Sequence, residues 1–149
     1  MSARILVVED NPDARELVVM VLAHAGYEVI EAANGSEALD GAIIGRPHLI
    51  LMDLGLPGMQ GDEVVSRIRS DPRIATIPVV VTTAFDRNSG TVKRAIAAGA
   101  DDVLFKPTEL KKLLEAARIF TKQATTNSVG SAKSPTPKQS VSPNILIEH

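Results

Sequence analysis

The sequence contains no cysteine and no tryptophan, and only one Tyr and three Phe among its 149 residues. Without cysteine there is neither a disulfide scaffold nor a thiolate zinc site, which fits a reducing compartment. With so few aromatics, the core must be built from Val, Ile, Leu and Ala. The 16 Lys and Arg do not outnumber the 18 Asp and Glu. A chain of this balance carries no basic footprint for nucleic acid and no polybasic membrane anchor. No apolar run approaches membrane-spanning length, and Met1-Ser2-Ala3-Arg4-Ile5 has no long apolar region ahead of a cleavage site. Asn34-Gly35-Ser36 formally matches a glycosylation acceptor, but with no secretion signal it reads as turn chemistry. A cytoplasmic location is therefore expected. The length suits one domain with one good core.

What the sequence does have is a short apolar run that recurs and stops on a polar group. Ile5-Leu6-Val7-Val8 ends at Glu9-Asp10, and Leu49-Ile50-Leu51-Met52 ends at Asp53, directly before Gly55 and Pro57. Pro78 to Thr83 and Val103-Leu104-Phe105 are two more such runs, the last followed by Lys106. Tyr27 to Ala32 is a weaker one, placed nearer a sheet edge. Continuous apolar runs of this length fit strands buried on both faces.

Between the runs lie helical patterns. Asn11-Pro12 opens the first, which carries Leu17, Val18, Val21, Leu22 and Ala25 at helical spacing and ends at Gly26. Asn34, with Glu37 three residues on, starts the second, which carries Ala38, Leu39, Ala42 and Ile43 and stops near Gly45 and Pro47. A third begins near Asp62 with Val64, Val65 and Ile68. The fourth holds Val92, Ala95 and Ile96 before Gly99, and the last runs from Glu109 to Thr121 with Leu110, Leu113, Leu114 and Ala117. Five strand–helix units predict an α/β, doubly wound parallel sheet covered on both faces, since five are too few for the eight-fold barrel. The common strand order 2-1-3-4-5 makes the first and third strands central neighbours. From residue 123 the composition turns to Ser, Thr, Pro and Lys without periodicity, which predicts a disordered tail or linker over 123–149. Ile145-Leu146-Ile147 near its end reads as incidental rather than as a docking motif.

In such a sheet the carboxyl ends of the strands share one edge, where ligands bind. Glu9, Asp10, Asp53, Thr83 and Lys106 would meet there. Two carboxylates about 4 Å apart repel by roughly 4 kcal/mol at an effective dielectric of 20. Raised pKa values or a cation relieve that repulsion, and an all-oxygen set with room for water suits Mg²⁺. Each residue alone also has a plain structural role. Glu9 and Asp10 favour the N-terminus of the next helix, Asp53 is a turn carboxylate, Thr83 a strand residue or cap, and Lys106 a solvated charge. The conjunction at one edge is what argues for a site.

Val7-Val8-Glu9-Asp10-Asn11, Leu51-Met52-Asp53 with Pro57-Gly58-Met59 and Gly61, Pro78 through Thr83-Ala84, and Gly99-Ala100-Asp101-Asp102 through Lys106-Pro107 stand in order. Together they resemble the receiver domain of two-component response regulators, in particular the single-domain chemotaxis receivers, over about residues 4 to 122. The resemblance implies a flavodoxin-like fold and a receiver domain over 1–122. It implies that Asp53 accepts a phosphoryl group from the phosphohistidine of a histidine kinase or phosphotransfer protein. It further implies that Glu9, Asp10, Asp53 and the backbone carbonyl of Gly55 hold Mg²⁺, with Glu9 acting chiefly through bound water. Thr83 and Lys106 would bind the phosphoryl oxygens, and the Lys106–Pro107 peptide would be cis. The chain would catalyse its own phosphorylation and dephosphorylation rather than turn over a substrate, and would report to a downstream protein target rather than to nucleic acid or a membrane.

Two departures stand out. Val103 lies three residues before Lys106, where many receivers carry a Tyr or Phe whose ring turns inward on activation, and Thr108 replaces a frequent Phe. Other readings are a receiver module from a larger hybrid kinase or multidomain regulator, an aspartyl-nucleophile phosphatase and a flavodoxin-like mononucleotide binder. Gly55 stands where the phosphatase needs a second acid, and the acidic loop from Glu9 to Asp13 repels the phosphate that a mononucleotide site attracts.

Overall fold

The computed structural model describes residues 2–129. Five strands, β1 (Arg4–Val8), β2 (Glu28–Ala32), β3 (Leu49–Asp53), β4 (Val79–Thr83) and β5 (Asp102–Phe105), alternate with five helices. These are α1 (Pro12–His24), α2 (Gly35–Gly45), α3 (Gly61–Ser70), α4 (Gly90–Ala98) and α5 (Leu110–Val129). All strands pair in parallel in the order β2-β1-β3-β4-β5, with Val8 opposite Met52 and Asp53 opposite Thr82. The expected α/β architecture, strand order and edge position of β2 are all present.

Alternation along each strand divides the core in two. Leu6, Val8, Ile50, Met52, Val79 and Val81 face α2, α3 and α4, while Ile5, Val7, Leu49, Leu51 and Val80 face α1 and α5. All five residues of β3 are buried, as a central strand covered on both faces requires. Each large aliphatic side chain buried here contributes roughly 1.5–3 kcal/mol, offset by the entropy of ordering the chain.

The helix starts follow the side chains that cap them. Asn11 Oδ1 accepts the Ala14 N–H and Asn34 Oδ1 the Glu37 N–H, both at 2.9 Å. Glu37 in turn accepts the Ala33 N–H at 2.8 Å, a reciprocal arrangement close to a capping box. Gly26 and Gly99 take positive φ past the ends of α1 and α4, as their positions suggest.

Two expectations need correction. Of the apolar stripe predicted on α1, only Leu22 is buried and Leu17 is 54% exposed; Ile96 of α4 and Leu110 of α5 are exposed as well. Helical spacing sets the direction of a stripe but not the width that neighbours cover. Helix α5 runs eight residues past its expected end at Thr121. The sequence from Lys122 to Val129 holds no Gly or Pro to stop it, and Lys122, Gln123 and Ala124 are good helix formers. The rest of the predicted tail, including Ile145-Leu146-Ile147, lies outside the described residues.

Candidate functional site

The site forms where β1, β3, β4 and β5 end. Glu9 directly follows β1, Asp53 closes β3, Thr83 closes β4 and Lys106 directly follows β5. Parallel strands in this order bring four residues separated by up to 97 positions to one edge. Glu9, Asp53 and Thr83 are buried and Asp10 is exposed. One ligand oxygen from each of Glu9, Asp10 and Asp53 lies within 4.8 Å of the others.

Lys106 is the centre of the charge balance. Its Nζ lies 3.3 Å from Glu9 Oε1 and 3.3 Å from Asp53 Oδ2, bridging the acids of β1 and β3. Burial opposes the charge on Lys106, but the carboxylates of Asp53 and Glu9 outweigh it and hold its pKa above the ordinary lysine value. Glu9 is pushed above the usual carboxylate range, first by burial and then by the charge on Asp53. The Asn11 N–H and Lys106 only partly oppose this.

Backbone bonds fix these groups. Glu9 Oε2 accepts the Asn11 N–H at 3.2 Å and Asp53 Oδ1 the Gly55 N–H at 3.1 Å. A Cβ placed on Gly55 would stand 3.9 Å from both Asp53 oxygens, so the loop after β3 passes directly beside the carboxylate. Thr83 Oγ1 accepts the Phe85 N–H at 3.0 Å, and the Lys106 N–H donates to the Thr83 carbonyl at 2.7 Å. Thr83 is thus tied to Lys106 through the backbone, while its hydroxyl serves the β4–α4 loop. The Lys106–Pro107 peptide is cis.

Two contributors carried no sequence signal. Arg15, one turn into α1, donates to the Glu9 carbonyl at 2.8 Å and pairs with Glu31 of β2 at 3.1 Å. Its partners are a backbone oxygen and a residue on another strand, which periodicity does not reveal. Arg87 lies 5.0 Å above the centroid of the Phe105 ring, so the β4–α4 loop meets an aromatic two residues along β5 from the buried Val103.

A parallel sheet of this order, with acids, a hydroxyl and an ammonium gathered at the carboxyl ends of its strands, defines a class of α/β protein that carries its site on that edge. The response regulator receiver domain model matches residues 5–118, and the chain belongs to that family. It is 35% identical over 120 residues to the polar-differentiation response regulator DivK of Brucella anthropi, covering 80% of this chain and 97% of DivK. It is 37% identical over 117 residues to the DNA-binding dual master transcriptional regulator RpaA of Synechocystis, covering 78% of this chain and 48% of RpaA. Against RpaA and the DNA-binding response regulator MtrA of Mycolicibacterium smegmatis, the chain spans about half the length of the relative. Among solved structures, the chemotaxis response regulator CheY4 of Vibrio cholerae superposes with a TM-score of 0.74 at 32% identity, over 79% of this chain and 98% of CheY4. A response regulator of Chloroflexus aurantiacus gives 0.75 at 32% identity, over 82% and 99%. The protein is therefore a receiver domain of the two-component type, a family built around phosphorylation switching and interaction with histidine kinases. Receivers as a family bind Mg²⁺, and the acidic cluster here has the hard oxygen donors that this ion takes. No described helix is long and apolar enough to cross a membrane.

Proposed function

We propose that Asp53 is the phosphoacceptor of this receiver. The observation that carries the reading is Lys106 Nζ at 3.3 Å from both Asp53 and Glu9, an ammonium already placed against the nucleophile and its neighbouring acid. An Asp53 carboxylate oxygen attacks the phosphorus of a phosphohistidine; the P–N bond breaks, the imidazole keeps the electron pair and an acyl phosphate forms. Glu9, Asp10, Asp53 and the Gly55 carbonyl would hold Mg²⁺, which supplies neutralisation of charge on the phosphoryl oxygens when bound. Lys106 neutralises a further oxygen, and the Ala84 N–H and Thr83 hydroxyl donate hydrogen bonds. A hydroxyl has one proton and two lone pairs, so Thr83 can donate to the phosphoryl group while still accepting from Phe85.

The phosphoryl group adds a charge of about −1.5 to −2. Drawing Thr83 and Lys106 onto it makes two charge-assisted bonds worth about 1.5–3 kcal/mol each. Inverting a 1:99 equilibrium takes about 5.5 kcal/mol, so these two bonds are of the right size to throw a switch. With the buried Val103 offering no ring to rotate, movement of Thr83 must be passed on through the β4–α4 loop that its hydroxyl holds. In this reading a histidine kinase or phosphotransfer protein is the donor, a protein is the target, and the domain catalyses its own phosphorylation and dephosphorylation in the cytoplasm.

Incubation with Mg²⁺ and a small acyl-phosphate donor tests the assignment by intact mass. One phosphoryl group should be added to the wild type and none to Asp53→Asn. An unmodified wild type, or a modified Asp53→Asn, overturns it.

A further inference from the structure

Glu9 is tied at every polar group. Its N–H donates to the Ala32 carbonyl of β2 at 3.0 Å, and its carboxylate bonds the Asn11 N–H and the Lys106 ammonium. Its carbonyl accepts from Arg15 Nη1 at 2.8 Å. That carbonyl belongs to the same planar peptide unit as the Asp10 nitrogen, so what fixes one fixes the plane from which Asp10 departs. Asp10 is exposed, and among the described residues no protein group bonds its carboxylate. Its direction is therefore set by its own backbone.

Arg15 is placed to set that backbone. Side chains of an α-helix lean toward its N-terminus, so a long one in the first turn reaches back over the residues before the helix. The Arg15 N–H bonds the Asn11 carbonyl at 2.9 Å, and its Nε pairs with Glu31 of β2 at 3.1 Å. The guanidinium is thus braced from β2 while it holds the end of β1, two contacts that a planar fork makes at once. We propose that Arg15 is a positioning residue for Mg²⁺. It holds the Glu9–Asp10 peptide so that the Asp10 carboxylate stays in the cluster with Glu9 and Asp53, and Glu31 is its brace. The inference rests on the reading of that cluster as the Mg²⁺ site, and it adds a residue that is not itself a ligand. Outer partners of this kind set metal affinity by about 10–100-fold.

Charge and position predict different results. On charge alone a cation near the site repels Mg²⁺, so Arg15→Met should tighten binding and Arg15→Lys should leave it unchanged. On position, both should weaken it. Arg15→Met loses the hold on the carbonyl and should raise the Kd for Mg²⁺ about tenfold by isothermal titration with no phosphoryl donor present. Arg15→Lys keeps the charge, but one ammonium cannot hold the carbonyl and the Glu31 brace as a fork does, so its Kd should rise severalfold. An unchanged or lower Kd in either variant overturns the proposal alone. A wild type that binds no Mg²⁺ overturns the reading of the cluster and the proposal together. Amide NMR of the metal-free proteins separates position from a general loss of structure. The Asp10 cross-peak should shift in both variants, because its nitrogen shares a peptide with the Glu9 carbonyl, while those of Asp53 and Gly55 should stay in place. An unmoved Asp10 peak, or equal shifts at all three, overturns the proposal as well.

Discussion

The surroundings of Glu9 disfavour its charged form. Burial and the Asp53 charge raise its pKa above 4.5, so the folded state binds its proton more tightly than the unfolded chain does. By linkage, the stability this group contributes is present below the unfolded value and is lost as pH rises through the folded one. Glu9→Gln keeps the shape, removes one like charge and leaves Lys106 paired with Asp53. In metal-free buffer its melting temperature should exceed the wild type's at pH 7, and the advantage should vanish below about pH 4.5. A melting temperature at pH 7 equal to or below the wild type's would mean that the Lys106–Glu9 pair outweighs burial. Lys106 has the same sign in a higher window: its pKa is raised from 10.5, so its contribution persists through neutral pH and is lost only as pH rises above that value. The acids were legible in the sequence because each ends an apolar run, where a charge must be satisfied or used. Arg15 was not, because its role is to hold the Glu9 carbonyl, and a backbone partner leaves no pattern.

Single elements are tied down by residues that look ordinary in one dimension. Arg69, near the end of α3, donates to the carbonyls of Ala75, Ile77 and Gly99 and pairs with Asp101 at 2.8 Å. Asp101 also accepts the Val79 N–H at 2.8 Å, so one guanidinium links α3 to the starts of β4 and β5. Arg69→Ala should lower the unfolding free energy by about 2–3 kcal/mol in urea titration, because it leaves part-buried carbonyls without a charged donor. Arg69→Lys should recover little of this, since a point charge cannot replace the fork.

Gly61 acts at the start of the same helix. A Cβ there would lie 2.8 Å from Leu54 Cα and 3.2 Å from its carbonyl oxygen. Gly61→Ala must therefore push the backbone next to Asp53, at a cost of about 1–3 kcal/mol, measurable by the same titration. A wild-type midpoint would show that the loop yields freely. The sequence showed where α3 begins through Val64, Val65 and Ile68. It did not show the closeness of Gly61 to Leu54, which arises only once the loop has turned back on β3. The same limit applies to Leu17, Ile96 and Leu110, whose helical spacing is right but whose cover depends on how far neighbouring helices stand apart.

At the scale of the whole molecule, strand order does the assembling. Strands of four or five residues, separated by helices, bring the acids of β1 and β3 and the ammonium after β5 to one edge, as alternation of apolar runs and helical stripes predicted. That edge sets an internal cation in competition with an external one. Lys106 Nζ sits 3.3 Å from the same carboxylates that would hold Mg²⁺, and like charges at such distances repel. Lys106→Met keeps the aliphatic stem, removes the competing charge and leaves the acid cluster unbalanced. Mg²⁺ should then bind it more tightly than the wild type by isothermal titration. A ligand at about 100 times its Kd stabilises the fold by about 2.7 kcal/mol, so at a fixed Mg²⁺ concentration the variant should also show the larger metal-dependent rise in melting temperature. Asp10→Asn should lose most of that rise in either background, because Asp10 supplies one of the three clustered carboxylates. An unchanged Kd in Lys106→Met would mean that the ammonium moves out of the way at no cost, and that the bridge between Glu9 and Asp53 does not set the affinity of the site.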